Sequence, residues 1–208
     1  MTEADWLACD APDEMLKRLG RRVSNRKLRL FTCACYRHVP RLFEDERIRT
    51  AVEASERYAD GLADKQELAH ALSRAFSAMW TSGVRMAYPT PRCAEEARRF
   101  TARTARDGAD ERHYQAALLR CIFGNPYHRR PPLPPTVLTY QDGLVVRLAT
   151  ASYEHRNLPA GTLDPARLAV LADALEEAGL KDAWLLGHLR EGVHVRGCWA
   201  VDAVLGRL

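Results

Sequence analysis

The chain has 208 residues, 47% of them hydrophobic and 28% charged, which is enough to bury a core and ordinary for a globular protein. No apolar run reaches the roughly 20 residues a membrane helix needs, and the acidic opening Met1-Thr2-Glu3-Ala4-Asp5 is no signal peptide, so a cytoplasmic protein with no membrane partner is expected. The net charge of +4 is mild, and the six cysteines (Cys9, Cys33, Cys35, Cys93, Cys121, Cys198) are too scattered for a disulfide scaffold, so free thiols are expected.

Nearly every segment reads at helical period. Thr2 can cap a short helix carrying Trp6 and Leu7; Pro12 opens another through Met15, Leu16 and Leu19, stopped at Gly20. Ser24 caps the next, where Leu28, Phe31, Thr32, Cys35 and Val39 form one apolar stripe before Pro40 ends it. Ile48, Val52, Ser55, Ala59 and Leu62 continue the pattern, with Arg49, Glu53 and Arg57 on the outer face. A longer helix follows Asp64 with Leu68, Leu72, Phe76, Met79 and Gly83 inward. Pro91 starts one that runs to about Arg106, and Tyr114, Ala117, Leu118, Cys121 and Ile122 make another, closed by Gly124.

Residues 126–135 hold five prolines (Pro126, Pro131, Pro132, Pro134, Pro135), which exclude a helix and favour a stiff extended connector. Beyond it, 136–160 offers a helix through Val145, Val146, Leu148 and Tyr153, although Gly143-Leu144-Val145-Val146 has a weak claim to strand. The run Leu168, Leu171, Ala172, Leu175 and Ala178 is capped by Asp164-Pro165 and stopped at Gly179; two further helices cover roughly 181–190 and 196–206. The expected fold is all-α: an irregular multi-helix bundle of about ten helices, with a large N-terminal lobe (1–125), the connector (126–135) and a small C-terminal helical lobe (136–208).

Three constellations carry possible chemistry. Lys17 to Arg41 holds nine basic residues and no acid, and helical phasing groups Arg22, Arg26, Arg29 and Arg37 on one face. Such a ridge suits a nucleic-acid phosphate backbone; a solvated face paired with acids such as Glu44, Asp45 and Glu46 is the plainer reading. Only four of the 31 basic residues are lysines, a bias that fits phosphate recognition and equally a GC-rich genome. Cys33 and Cys35 point about 200° apart on a helix and cannot share one ion. Cys35 joins the apolar stripe, while Cys33 falls among arginines, where a thiol can become redox-reactive or simply pack beneath a neighbouring helix.

The third constellation is the tail. His188, His194 and Cys198 are candidate metal ligands, with His194 and Cys198 sharing a face if a helix already runs at 194. Structural zinc requires a fourth ligand, which His155 or Cys121 would have to supply through tertiary packing. The competing reading makes the segment a packing signature in which Gly197 permits close approach, Trp199 points inward, and His194 or Arg196 bonds a loop carbonyl or Asp202. No phosphate-cradling Gly-rich loop, H-E-x-x-H or nucleophile elbow occurs, so neither catalysis nor a cofactor is expected.

Several blocks together resemble a known group. They are Met1-Thr2-Glu3-Ala4 with Trp6-Leu7-Ala8-Cys9, Arg26-Lys27-Leu28-Arg29-Leu30-Phe31 with Cys33-Ala34-Cys35, Ile122-Phe123-Gly124-Asn125-Pro126, Leu171 to Gly179, and His194-Val195-Arg196-Gly197-Cys198-Trp199. The chain resembles a large bacterial paralogous family of uncharacterised helical proteins, whose members are often loosely labelled as relatives of a yeast cell-wall-regulator family. The resemblance implies no activity. Tyr36 stands where a further thiol is usual in that family, and Leu189 where a cysteine often follows the tail histidine. The expectation is a non-catalytic helical module that binds another protein. The alternatives are nucleic-acid binding through the basic face 17–41, or a minor metal or redox role through Cys33 or His194/Cys198.

Overall fold

A computed structural model describes residues 1–20, 23–82, 91–104, 108–128 and 132–207. Among them are twelve α-helices and no strand, so the fold is all-α, as the periodicity predicts. The chain divides into two compact units, Met1–Leu119 and Arg120–Leu208. The expected inward Gly83, the arginines Arg21 and Arg22, the helix end near Arg106 and Pro131 of the connector lie outside the described residues.

The first unit runs through α1 (Glu3–Ala8), α2 (Pro12–Leu19), α3 (Asn25–Arg37), a 3-10 turn (Pro40–Glu44), α4 (Glu46–Ala59), α5 (Lys65–Ser82), α6 (Pro91–Thr104) and most of α7 (Gly108–Phe123). Its helix starts follow the caps read from sequence. The Thr2 side chain and Asp5 form a reciprocal capping box, and Ser24 Oγ accepts from the Lys27 amide at 3.2 Å. The expected pattern fails in places: Phe76 of α5, expected inward, is exposed, as is Leu62, which lies beyond the end of α4. α3 is not a half-buried helix with a charged outer face, because α4 and α6 pack on it and bury Lys27, Arg29 and Arg37 along with Leu28, Phe31 and Cys35.

The second unit begins in the last turn of α7 and continues through α8 (Pro135–Leu138), α9 (Tyr140–Glu154), α10 (Pro165–Glu177), α11 (Ala183–Arg190) and α12 (Trp199–Val204). α9 packs on α10 and α12, and α10 on α11. Leu168, Leu171, Leu175, Leu185, Leu189 and Trp199 form the core. Gly143 to Val146 lies within α9 and is not a strand. The helix ends at Glu154, short of residue 160, with left-handed backbone at Gln141, Asp142 and Gly143 near its start. The last helix starts at Trp199 rather than 196, because Gly197 takes φ +91°, which no right-handed helix accommodates.

The segments before α10 and before α12 are held to each other by backbone pairing rather than by helix. Isolated bridges join Asn157 to Thr162 and Thr162 to Val195, and the Leu163 amide donates to the His194 carbonyl at 2.8 Å. These bonds satisfy buried loop groups that would otherwise be costly to desolvate, and they pin the segment carrying the tail motif.

Candidate metal centre

Four side chains of the second unit converge: Cys121, His188, His194 and Cys198, whose potential ligand atoms all lie within 4.8 Å of one another. Each comes from a different local structure. Cys121 occupies the last turn of α7, which Gly124 closes with φ +68° and an amide bond to the Arg120 carbonyl at 3.0 Å. His188 lies on α11, whose start is set by the Asp182 carboxylate accepting from the Leu185 amide at 2.8 Å. His194 belongs to the loop after α11, and Cys198 is the N-cap residue of α12.

The geometry within the cluster is close. Cys198 Sγ lies 3.4 Å from His188 Nε2 and 3.6 Å from His194 Nδ1, and Cys121 Sγ lies 3.9 Å from that same Nδ1. The two imidazoles meet nearly at right angles, 86° with centroids 4.8 Å apart. Cys121, His194 and Cys198 are buried, and His188 is half-buried. On the far side of its ring, His194 Nε2 lies 3.0 Å from the Glu191 carbonyl oxygen. A carbonyl only accepts, so Nε2 carries a hydrogen, and Nδ1 is the ring nitrogen that faces the sulfurs. That outward bond is the one metal-binding histidines ordinarily make.

Electrostatics follow the geometry. Burial pushes the Cys198 thiol up, but the Cys121 thiol and the imidazoles of His188 and His194 outweigh it and hold it well below the ordinary cysteine range. Burial lowers His194, and the hydrogen bond and charge of Cys198, together with the Glu191 carbonyl, more than reverse this and raise it. By contrast, burial alone dominates at Cys35 and carries its thiol well above the usual value. Within this protein, then, the surroundings of Cys198 favour its ionised form, whereas those of Cys35 favour a neutral core thiol.

Two thiols and two imidazoles form a closed structural zinc set. Zinc bonds of about 2.0–2.3 Å in tetrahedral array put nitrogen and sulfur donors about 3.5 Å apart, which the contacts of Cys198 already match, and side-chain rotations can close the longer separations of up to 4.8 Å. Cys121 supplies the fourth potential donor that the tail motif lacked. It stands 73 residues before His194. The other candidate supplement, His155, is exposed, and its ring Nδ1 lies 3.0 Å from the Ala151 carbonyl oxygen. Leu189 costs the cluster nothing, because it faces the core one residue beyond His188. No helix runs at 194, so His194 and Cys198 do not share a helix face; a loop brings them together.

Aromatic rings wall the site. Trp199 stacks on Trp184 with centroids 3.9 Å apart, and His188 lies 5.0 Å from Trp199. Gly124 makes room for this arrangement, since a Cβ there would lie 3.2 Å from the Trp199 ring. Gly197, Trp199 and Asp202, read from sequence as packing residues, are all buried. Their organiser is Tyr153, which the sequence reading treated only as part of a helical stripe. Its hydroxyl donates to Asp202 Oδ1 at 2.6 Å and accepts from the Gly197 amide at 2.7 Å.

The basic face is not assembled as expected. Arg37 is buried and bidentate to Glu56 at 2.6 and 2.8 Å, Arg26 reaches Asp60 Oδ1 at 2.6 Å, and the guanidinium of buried Arg29 lies 5.1 Å from the Tyr58 ring centre. Arg22 falls outside the described residues. The carboxylates that take up these arginines come from α4 and its C-cap rather than from Glu44, Asp45 and Glu46. Cys33 is also buried, its thiol 3.9 Å from the Val52 carbonyl.

Comparisons with protein-family models, with curated proteins and with solved structures find no match for this chain.

Proposed function

We propose that the C-terminal unit is a structural zinc-binding module, with Cys121, His188, His194 and Cys198 as its four ligands. One observation carries this reading: four soft or borderline donors from three helices and a loop meet in one buried cluster. Four protein ligands leave no coordination position for water, so the centre would serve architecture and not hydrolysis. Its role is to tie α7, α11 and the start of α12 together, which offsets the small core of a unit of this size.

The test is metal content and its dependence on these residues. Native mass spectrometry of the reduced protein should show one zinc per chain, displaced by a strong chelator and restored by adding zinc. A double substitution Cys121→Ser/Cys198→Ser should abolish uptake. Reduced wild-type protein that takes up no zinc would end the proposal.

A second reading has one observation in its favour. Phe76 and Trp80 on α5 stack with centroids 6.3 Å apart while remaining 65% and 64% exposed. An exposed aromatic pair of this kind is typical of a protein-binding surface, in keeping with a protein-interaction module. A photo-reactive residue at position 80 that yields no adduct in cells would remove that support.

A further inference from the structure

Tyr153 and Asp202 belong neither to the metal cluster nor to any face left open to solvent, yet both are buried and committed to one loop. The Tyr153 hydroxyl has one proton and gives it to Asp202 Oδ1 at 2.6 Å, which fixes the torsion of the hydroxyl. Its lone pair is thereby directed at the Gly197 amide, 2.7 Å away. Gly197 directly precedes Cys198 and follows His194 by three residues, so the bond grips the backbone between two of the proposed ligands. Gly197 takes φ +91°, and its neighbour Cys198 turns its own amide to the Val195 carbonyl at 3.0 Å. The bond to Tyr153 holds in place the turn between the Val195 bridge and the first turn of α12.

The loop has other anchors, the Thr162–Val195 bridge among them. The His194 carbonyl accepts from the Leu163 amide at 2.8 Å, and His194 Nε2 lies 3.0 Å from the Glu191 carbonyl oxygen. Those two fix the His194 end. At the Cys198 end the side-chain anchor is Tyr153, and Asp202, one turn into α12, binds that anchor from below. The guanidinium groups of Arg196 and Arg207 each lie 5.6 Å from the Tyr153 ring centre, so cationic charge sits over its face.

We propose that the Tyr153 hydroxyl, oriented by Asp202, is a positioning group for the metal centre: it holds His194 and Cys198 in ligating arrangement before the metal arrives. The proposal rests on the zinc reading of the cluster. It makes the site preformed, so binding zinc does not have to order the 191–198 loop, and the energy of the four metal bonds goes into affinity. Outer hydrogen-bond partners of this kind typically alter metal affinity by about 10–100-fold.

Three measurements on the full chain test it. The first is the zinc dissociation constant by competition with a chromogenic chelator, for wild type and Tyr153→Phe, well below the unfolding temperature of each. A loss of about 10–100-fold is expected in the variant. Equal constants would overturn the positioning role while leaving the zinc reading intact, and no zinc uptake by the wild type would overturn both. The second is the visible spectrum of the cobalt-substituted proteins at saturation. A loosened loop should change the tetrahedral bands, whereas a merely less stable variant with an intact site would leave them unchanged and count against the proposal. The third needs no variant. The Gly197 amide should be protected from hydrogen exchange in chelator-treated, folded wild-type protein. Exchange as fast as an exposed loop amide would show that the loop is not held in advance, and would refute it.

Discussion

Cys121 and Glu111 lie on the same helix and serve different purposes. Cys121 completes the proposed zinc set, so Cys121→Ser should weaken zinc binding beyond the roughly 100-fold that loss of an outer partner costs. His155→Ala should leave affinity unchanged, because that ring lies outside the cluster. A chelator competition assay separates the two, and equal losses would contradict the assignment. Glu111 is buried in the first unit, with Oε2 2.6 Å from His38 Nδ1 and Oε1 accepting from Gln115 at 2.7 Å. Burial pushes its carboxyl up, but the hydrogen bonds from His38, Gln115 and Thr101 outweigh this and hold it below its ordinary value of 4.5. A carboxyl depressed in the folded state contributes stability that is present above the unfolded value and is lost as pH falls through the folded one. Urea midpoints should therefore fall on acidification below about pH 4.5, and Glu111→Gln should flatten that decline while costing about 1–3 kcal/mol at neutral pH through weakened charged hydrogen bonds. Parallel profiles for the two proteins would disprove the assignment.

At the scale of elements, the junction of α7 with α12 is the most constrained place in the second unit. Gly124 ends α7 in left-handed backbone and faces the Trp199 ring. Gly124→Ala therefore meets two costs, a strained φ and a Cβ 3.2 Å from an indole already stacked on Trp184. The expected loss is about 1–3 kcal/mol in urea unfolding. Trp199 is also a natural reporter, and its displacement should change the emission of the Trp184–Trp199 pair. An Ala variant as stable as wild type would mean that the ring moves aside freely. α3 teaches the opposite lesson about charge: its arginines are interior ties to Glu56 and Asp60. Removing one partner, as in Glu56→Gln, should destabilise the first unit by several kcal/mol, in the range of about 3–5 for a broken buried pair. A change under 1 kcal/mol would indicate that water reaches the site.

For the molecule as a whole, the two units should respond differently to metal. Under the zinc proposal, metal bound to the folded second unit would stabilise it by mass action, by about 2.7 kcal/mol when free zinc is 100 times the dissociation constant. Hydrogen exchange with and without chelator should show protection changing across 183–204 while the cores of α3 and α4 stay as they were. Uniform change along the chain, or none, would remove the metal centre as a local staple. No helix among the described residues is long and apolar enough to cross a membrane.

The local features were legible because their causes are local. Thr2, Ser24 and Asp164 cap helices with side chains that reach only two or three residues ahead, and Gly20, Gly124 and Gly179 end them by taking φ that other residues resist. Apolar periodicity likewise announced an all-α chain, since a 3.6-residue repeat leaves one helix face to bury. The tail motif could be marked as metal-like from residue types alone, but its set was one ligand short. Cys121 reads as an ordinary helix-stripe residue until folding carries it to His194, 73 positions later. Which acid neutralises Arg37, and what Tyr153 holds, are equally silent in the chain order. Such contacts depend on how helices pack, a matter of shape and loop closure over dozens of residues. Helix identity is decided within a turn or two of chain, whereas the metal cluster exists only once α7, α11 and the 191–198 loop have been brought together.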